Sequence, residues 1–253
     1  MADNSIVRIS VVSYLNSKPF IYGLRNAKFN VDVDIREDIP SVCAEKLLTG
    51  KADIGLVPVS VLPRLKQHTI ISDYCIGADG DVNSVLLLSE VPLTKIKTIL
   101  LDYQSRTSVL LTRLLALKYW KINPKWQTTT ADYEKQISAD TAGVVIGDRA
   151  LIMKKKFPYA YDLSSEWKKF TGLPFVFACW VSMCELDNNF LSDFNRALEN
   201  GLGQINNIAK KEISIQLSET EIKHYLTRHI DYRFDEKKKA AMEIFLRMAA
   251  NIV

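Results

Sequence analysis

The chain has 253 residues, of which 47% are hydrophobic and 25% are charged, and its formal net charge is +4. This composition is that of a globular protein with enough length for two modest lobes, which excludes a disordered or fibrous chain. Basic and acidic side chains are mixed along the sequence, so no basic stripe indicates a nucleic-acid partner. No window approaches the roughly 20 apolar residues of a membrane span, and residues 1–5 are polar, so we expect a cytoplasmic protein without a membrane partner.

Neither the cysteines nor the histidines have the spacing of a metal site. There is no C-x-x-C pair and no histidine close to a cysteine, so we expect buried free thiols and histidines on the surface or on helix faces. The residues are Cys43, Cys75, Cys179, Cys184, His68, His224 and His229. The G-x-G-x-x-G, Walker, G-x-S-x-G and H-E-x-x-H motifs are also missing, so the sequence lacks the signatures of dinucleotide, nucleotide, triad and zinc enzymes.

Predicted strands and helices alternate in the first third of the chain. Residues 8–14 are rich in β-branched side chains and predict a buried strand, and residues 31–35 predict a second. A helix follows, which Ser41 caps and Gly50 ends. Residues 53–59 form another apolar run, which predicts the next strand.

The middle of the chain continues this alternation. The predicted strands are residues 70–78, 82–88, 98–101 and 143–146, and the predicted helices are residues 109–120 and 148–156. The first two of these strands are separated by a turn, which predicts either a long hairpin or a crossover strand.

A long apolar strand at residues 174–183 is suited to returning the chain to the first lobe. The remaining sequence predicts helices. Residues 186–208 have helical spacing, Ser218 with Glu221 forms a capping-box pattern, and Asp235 can cap the terminal helix.

This order of segments predicts an α/β protein with a two-lobed type II periplasmic-binding-protein-like fold. We expect mixed, mostly parallel sheets, with a cleft between the lobes and ligands outside the carboxyl ends of the strands. Residues 1–90 with 181–253 are assigned to lobe one and residues 91–180 to lobe two. Strands near residues 82–90 and 175–184 are expected to cross between them.

Two loops between a strand and a helix carry several polar side chains. In the first, the amide of Asn16 can donate and accept hydrogen bonds at once, although a helix cap is an equally simple reading. In the second, the hydroxyls of Ser105, Thr107 and Ser108 stand at a helix start, where unpaired N–H groups favour a carboxylate. Capping and carboxylate binding both remain open for this second loop.

Two further junctions are weaker candidates. Gly147 allows close approach of the backbone, and Asp148 beside it is best explained as a helix cap. Ser84 lies in a presumed crossover strand, where a side chain can face the cleft or can serve only in packing.

Six motifs, taken together, resemble the chorismate dehydratase family of the futalosine route to menaquinone. They are S-Y-L-N-S-K-P from Ser13, D-I-G-L-V-P-V from Asp53, S-V-L-L-L-S from Ser84, L-D-Y-Q-S-R-T-S from Leu101, I-G-D-R-A from Ile146 and T-G-L-P-F-V-F-A-C-W from Thr171. The resemblance implies the type II fold, a lyase reaction that converts chorismate to 3-[(1-carboxyvinyl)oxy]benzoate, and no metal or organic cofactor. It implies chorismate as the small-molecule partner, and we expect either a monomer or a homodimer.

Under this reading, Asn16 is the catalytic candidate and no residue is a metal ligand. The substrate-binding candidates are Tyr14, Ser84, Ser105, Thr107, Ser108, Gly147 and Asp148. Our hypothesis is that the enolpyruvyl carboxylate of the substrate accepts the proton, with Asp148 as the alternative base. Two other functions stay open: a cytoplasmic solute-binding protein, and a dihydroxynaphthoate-synthase-like enzyme that acts on another small carboxylate.

Overall fold

The structure is a computed structural model that describes residues 6–212, 216–250 and 252. The chain divides into two compact units. Unit 1 is formed by Met1–Ile76 with Phe177–Asp235, and unit 2 by Gly77–Val176 with Glu236–Val253. The chain therefore passes between the units twice in mid-sequence and once more before the terminal helix.

Strands and helices alternate along much of the described chain. The strands are β1 (Val7–Val12), β2 (Val33–Asp38), β3 (Ile54–Pro58), β4 (Thr69–Ala78), β5 (Val85–Ser89), β6 (Thr98–Leu101), β7 (Lys125–Thr128), β8 (Thr141–Ile146), β9 (Tyr159–Asp162), β10 (Phe175–Ser182) and β11 (Asp231–Arg233). The α-helices are α1 (Lys18–Asn26), α2 (Pro40–Leu48), α3 (Thr107–Leu115), α4 (Asp148–Met153), α5 (Leu163–Thr171), α6 (Asn188–Leu202), α7 (Ile205–Lys211), α8 (Glu219–His224) and α9 (Glu236–Ala249). Among the described helices, none has the length and apolar character needed to cross a membrane.

Unit 1 contains a six-stranded sheet in the order β11-β4-β10-β3-β1-β2. Strand β1 pairs in parallel with β2 and with β3, whereas β10 is antiparallel to β3. Every residue of β3 and β10 is buried, which is why both segments read as continuous apolar runs in the sequence.

Unit 2 contains a five-stranded sheet in the order β7-β6-β8-β5-β9. Strand β6 is parallel to β7 and β8, and β5 is antiparallel to β8 and β9. Helix α9 belongs to this unit because Phe245 packs edge-on against Phe175, with ring centroids 4.9 Å apart, and against Trp167 at 5.9 Å. The lobes predicted from the sequence place this helix in lobe one instead.

The two mid-sequence passages lie within strands. The first is at Ile76–Gly77 in β4 and the second at Val176–Phe177 in β10. The second falls in the predicted range 175–184, whereas the first precedes the predicted range 82–90. The alternative of a hairpin between residues 70–78 and 82–88 is wrong, because β4 and β5 belong to different sheets.

Local capping signals in the sequence had mixed outcomes. The capping box of Ser218 and Glu221 is confirmed, and Gly50 follows α2 with a φ of 67°. Ser41 does not cap α2, since the N-cap is Ile39 and Pro40 is already the first helical residue. Proline suits that first position because its missing N–H has no partner there anyway.

The start of β1 is held to the start of β3 by Arg8 and Asp53. The guanidinium of Arg8 forms a fork on the carboxylate, with Nε 2.9 Å from Oδ2 and Nη2 2.7 Å from Oδ1. The main-chain N–H of Arg8 also donates to Oδ2 at 2.8 Å. These side-chain hydrogen bonds from Arg8 hold the pKa of Asp53 below its usual value, although partial burial opposes them.

We predict that Asp53→Asn lowers the free energy of unfolding at pH 7 by about 1–2 kcal/mol, because hydrogen bonds to a charged group are lost. A carboxyl whose pKa is lowered by folding stabilises the fold above its unfolded pKa, about 3.9, and loses that effect as pH falls through the lower folded value. The difference between the two proteins should therefore shrink in acid. Urea unfolding at pH 7 and at about pH 2.5 measures it.

The control is Asp34→Asn, which removes an ion pair with Arg36. The side chain of Asp34 is 38% exposed and that of Arg36 is 68% exposed. Such a surface pair contributes little, so we expect a change of about 0.5 kcal/mol or less. Equal effects of the two substitutions, or a difference that grows in acid, would contradict the proposed role of Asp53.

Candidate active site

In unit 1, the candidate residues Tyr14 and Asn16 directly follow β1. A short 3₁₀ turn, Leu15–Ser17, leads into α1, where Pro19 is one of the first two helical residues. Asn16 is not a helix cap, because the N-cap positions of the turn and of α1 are Tyr14 and Ser17, and neither side chain caps. The capping alternative for Asn16 is therefore wrong.

Asn16 is held by two contacts that leave one side of its amide available. The hydroxyl of Tyr232 donates to the main-chain oxygen of Asn16 at 2.9 Å, and Ser17 Oγ donates to Asn16 Oδ1 at 3.1 Å. Burial raises the pKa of Tyr232 well above its usual value, so this hydroxyl keeps its proton. Asn16 is only 8% exposed, and its Nδ2 makes no hydrogen bond within residues 6–212, 216–250 and 252.

In unit 2, the candidates gather at one edge of the five-stranded sheet. Strands β6 and β8 are parallel neighbours, so their carboxyl ends lie at the same edge, and the amino end of antiparallel β5 joins them there. The Gly147 N–H donates to the Ser84 main-chain oxygen at 2.8 Å, which joins two of these ends directly. The candidates at this edge are Ser84, Ser105, Thr107, Ser108, Gly147 and Asp148.

The loop after β6 places hydroxyls at the start of α3. Thr107 and Ser108 are buried, and Ser105 Oγ accepts a hydrogen bond from the Ser108 N–H at 3.1 Å. The N-cap position of α3 is Arg106, so Ser105 lies one residue before it, and its hydroxyl keeps its own proton as a donor. The Ser108 hydroxyl makes no hydrogen bond in the described part of the chain.

The junction between β8 and α4 differs from the prediction for Asp148. Gly147 is the N-cap, with φ 66° and ψ −148°, a conformation that is essentially restricted to glycine. Asp148 is the first residue of the helix, where a negative charge faces the positive end of the helix dipole. The prediction that Asp148 caps is wrong because the turn needs the glycine at that position.

The sequence analysis missed two charged residues that stand beside the predicted motifs. Asp102 follows β6 and is 2% exposed, and Arg149 Nη2 donates to its Oδ2 at 2.7 Å. Burial raises the pKa of the Asp102 carboxyl, whereas the charge of Arg149 lowers it. The only signal in the sequence is their position within L-D-Y-Q-S-R-T-S and I-G-D-R-A.

Two open depressions lie within single units, and neither contains a candidate residue. The larger one, ≈ 610 Å³, is in unit 2 and is lined partly by Tyr103, Glu134 and Arg149. The smaller one, ≈ 320 Å³, is in unit 1 beside Arg8 and Lys46. Within unit 2, the candidate residues are brought together by the ends of β5, β6 and β8.

The cysteine prediction is confirmed at three of its positions. Cys43, Cys75 and Cys179 are buried free thiols, but Cys184 is exposed, so the prediction is wrong there. Cys184 lies just beyond the carboxyl end of β10, outside the fully buried strand. In the described part of the chain, no cluster of three His, Cys, Asp or Glu side chains has the arrangement of a metal site.

Comparison with known proteins agrees with the motifs at these strand ends. A family model described as menaquinone biosynthesis matches residues 7–251. The chain belongs to the menaquinone biosynthesis family. The resemblance drawn from the six motifs is confirmed.

Two relatives of known activity align with nearly the whole chain. Chorismate dehydratase from Thermus thermophilus is 28% identical over 255 residues, which cover 92% of this chain and 91% of that protein. Chorismate dehydratase from Campylobacter jejuni is 32% identical over 246 residues, which cover 93% and 94% of the two chains.

Solved structures share the fold of this family member. A protein from Archaeoglobus fulgidus superposes with a TM-score of 0.76 at 14% identity and covers 99% of this chain and 98% of its own. A Candida albicans protein described as having the generic periplasmic binding protein fold gives a TM-score of 0.65 at 11% identity. The superposition covers 98% of this chain and 91% of that protein. The predicted periplasmic-binding-protein-like fold is confirmed.

Proposed function

We propose that this protein is a chorismate dehydratase that converts chorismate to 3-[(1-carboxyvinyl)oxy]benzoate in menaquinone biosynthesis. The observation that carries this proposal is the alignment with two chorismate dehydratases over more than nine-tenths of each chain. The family match over residues 7–251 gives the same pathway.

The reaction removes one molecule of water and makes the ring aromatic. The C–H bond at the carbon that bears the enolpyruvyl ether breaks, and its electron pair enters the ring. The neighbouring carbon then loses its hydroxide, which combines with the proton as water. Because the ring carboxylate is conjugated to the diene, it receives negative charge in the transition state.

The hydroxyl cluster of unit 2 matches the need of that carboxylate. Ser105, Thr107 and Ser108 stand at the amino end of α3, where helix N–H groups and the dipole favour negative charge. Donors fixed around a group that gains charge stabilise the transition state more than the ground state. We propose that this cluster holds the ring carboxylate, and that Ser84, Gly147 and Asp148 at the same sheet edge surround the bound substrate.

Asn16 in unit 1, with Tyr14 beside it, acts in this proposal on the other polar groups of the same substrate. Its Nδ2 is the available donor of a buried amide, and the main chain beneath it is anchored by Tyr232. The enolpyruvyl carboxylate of the substrate takes the proton. Asn16 either orients this carboxylate or assists departure of the hydroxide. Neither loop motif supplies an imidazole, so the substrate is the simplest base.

The partner in this proposal is therefore a small anionic molecule, and the reaction needs no added metal or cofactor. We propose that the protein acts in the cytoplasm as a monomer or homodimer. Three buried cysteines and one exposed cysteine, all reduced, suit a reducing compartment.

Purified protein mixed with chorismate, without added metal or cofactor, should yield an aromatic product lighter by one water. Ultraviolet absorbance follows the reaction, and mass spectrometry identifies the product. Binding of chorismate without turnover would overturn the dehydratase proposal and favour a solute-binding function.

We predict that Asn16→Ala lowers kcat by about 100-fold, with a smaller change in KM, because one fixed donor to the transition state is removed. Tyr232 binds the main-chain oxygen of Asn16, so this anchor survives the substitution. The matched control is Asn26→Ala, at the exposed end of α1, where the side chain donates to the Tyr22 carbonyl at 2.8 Å. A similar loss of kcat in both variants would contradict a specific role for Asn16.

A second substitution, Asp148→Asn, distinguishes the two candidate bases. If the substrate carboxylate takes the proton, the variant should keep kcat within about tenfold, since it removes a charge near the helix start but not the proton acceptor. Steady-state kinetics together with calorimetric titration of chorismate measure turnover and affinity separately. Loss of turnover with unchanged affinity would make Asp148 the base.

A further inference from the structure

Asp102 holds the loop that carries the hydroxyl cluster. Its Oδ1 accepts a hydrogen bond from the Gln104 N–H at 2.7 Å, and its main-chain oxygen accepts from the Ser105 N–H at 3.3 Å. Ser105 Oγ in turn accepts from the Ser108 N–H at 3.1 Å. A continuous series of hydrogen bonds therefore runs from the end of β6 to the first turn of α3.

Arg149 connects this loop to the neighbouring strand end. It is the second residue of α4, directly after Asp148, and its Nη2 lies 2.7 Å from Asp102 Oδ2. Its Nη1 contacts the carboxylate of Glu134. The guanidinium also lies over the ring of Tyr103, with Cζ 5.6 Å from the centroid.

The Asp102 side chain is buried without exposed atoms, whereas that of Arg149 is 28% exposed. A buried carboxylate requires charged or hydrogen-bonding partners to remain ionised. Tyr133 supplies another contact, since its hydroxyl lies 2.8 Å from Asp102 Oδ2. Because the arginine fork is rigid, the Asp102 carboxylate fixes the start of α4 relative to the loop after β6.

We infer that Asp102 and Arg149 are positioning residues for the reaction, because their ion pair sets the geometry of the two strand ends that bind the substrate carboxylate. This inference rests on the proposed function. Neither residue contacts the substrate; each acts through the loop that it holds. Misplacement of substrate-binding groups by about 1 Å reduces turnover by about 100-fold in well-organised sites.

The same sheet offers a matched control at its opposite edge. Lys97 precedes β6 and Asp140 precedes β8, and their side chains form an ion pair of 2.9 Å. This pair thus joins the same two strands away from the candidate residues, and both side chains are well exposed. Asp140→Asn therefore tests whether any ion pair between these strands has the effect.

The test compares Asp102→Asn, Arg149→Lys and the double variant Asp102→Asn/Arg149→Met with Asp140→Asn. The double variant removes both charges of the Asp102–Arg149 pair, and Arg149→Lys keeps a cation beside Glu134, whose side chain is 12% exposed. The test therefore stays valid where Asp102→Asn alone fails to fold. We expect kcat to fall by about 10- to 100-fold in Asp102→Asn and in the double variant, with KM changed by about threefold or less. Arg149→Lys retains the positive charge, so its kcat should lie between that of the wild-type protein and that of the double variant.

Hydrogen exchange provides a readout that does not depend on chorismate turnover. Amides in residues 102–108 should exchange about tenfold faster in Asp102→Asn and in the double variant, while Asp140→Asn leaves them unchanged. Unchanged exchange in this segment overturns the inference, as does an activity loss that only follows the fraction of folded protein. If the wild-type protein fails to convert chorismate, the proposed function fails, and the exchange experiment still decides whether the pair positions the loop.

Discussion

In each unit, one strand pairs in parallel with both of its neighbours: β1 with β2 and β3, and β6 with β7 and β8. Parallel pairing places the carboxyl ends of neighbouring strands at the same edge, and each of these ends must turn into a following segment there. Polar residues in those turns are therefore collected by the sheet itself. The hydroxyl cluster after β6 and the Gly147 junction after β8 are neighbours for this reason.

The proposed chemistry depends on groups that are already fixed before a substrate arrives. The Tyr232 hydroxyl donates a hydrogen bond to the main-chain oxygen of Asn16, and the Ser108 N–H donates one to Ser105 Oγ. Preorganised donors need little rearrangement as charge develops, which is how electrostatic stabilisation becomes effective. The ion pair of Asp102 and Arg149 extends the same principle from single donors to whole loops.

Much of this architecture follows from local patterns in the sequence. Apolar runs identified the buried strands β3 and β10, and Gly50 marked the end of α2, because burial and a positive φ leave strong local signals. The partner of Asp102 is 47 residues away in sequence, so a single sequence contains no sign of the pairing. The packing of α9 was likewise hidden, since its apolar face does not specify that Phe245 meets Phe175.

The proposed substrate contacts are tested most directly by a crystal structure with the dehydration product, 3-[(1-carboxyvinyl)oxy]benzoate, bound. The account predicts that the ring carboxylate accepts hydrogen bonds from Ser105, Thr107 or Ser108, and that Asn16 Nδ2 contacts the enolpyruvyl group. A product bound in the ≈ 610 Å³ depression beside Tyr103 and Arg149, away from the hydroxyl cluster, would contradict it.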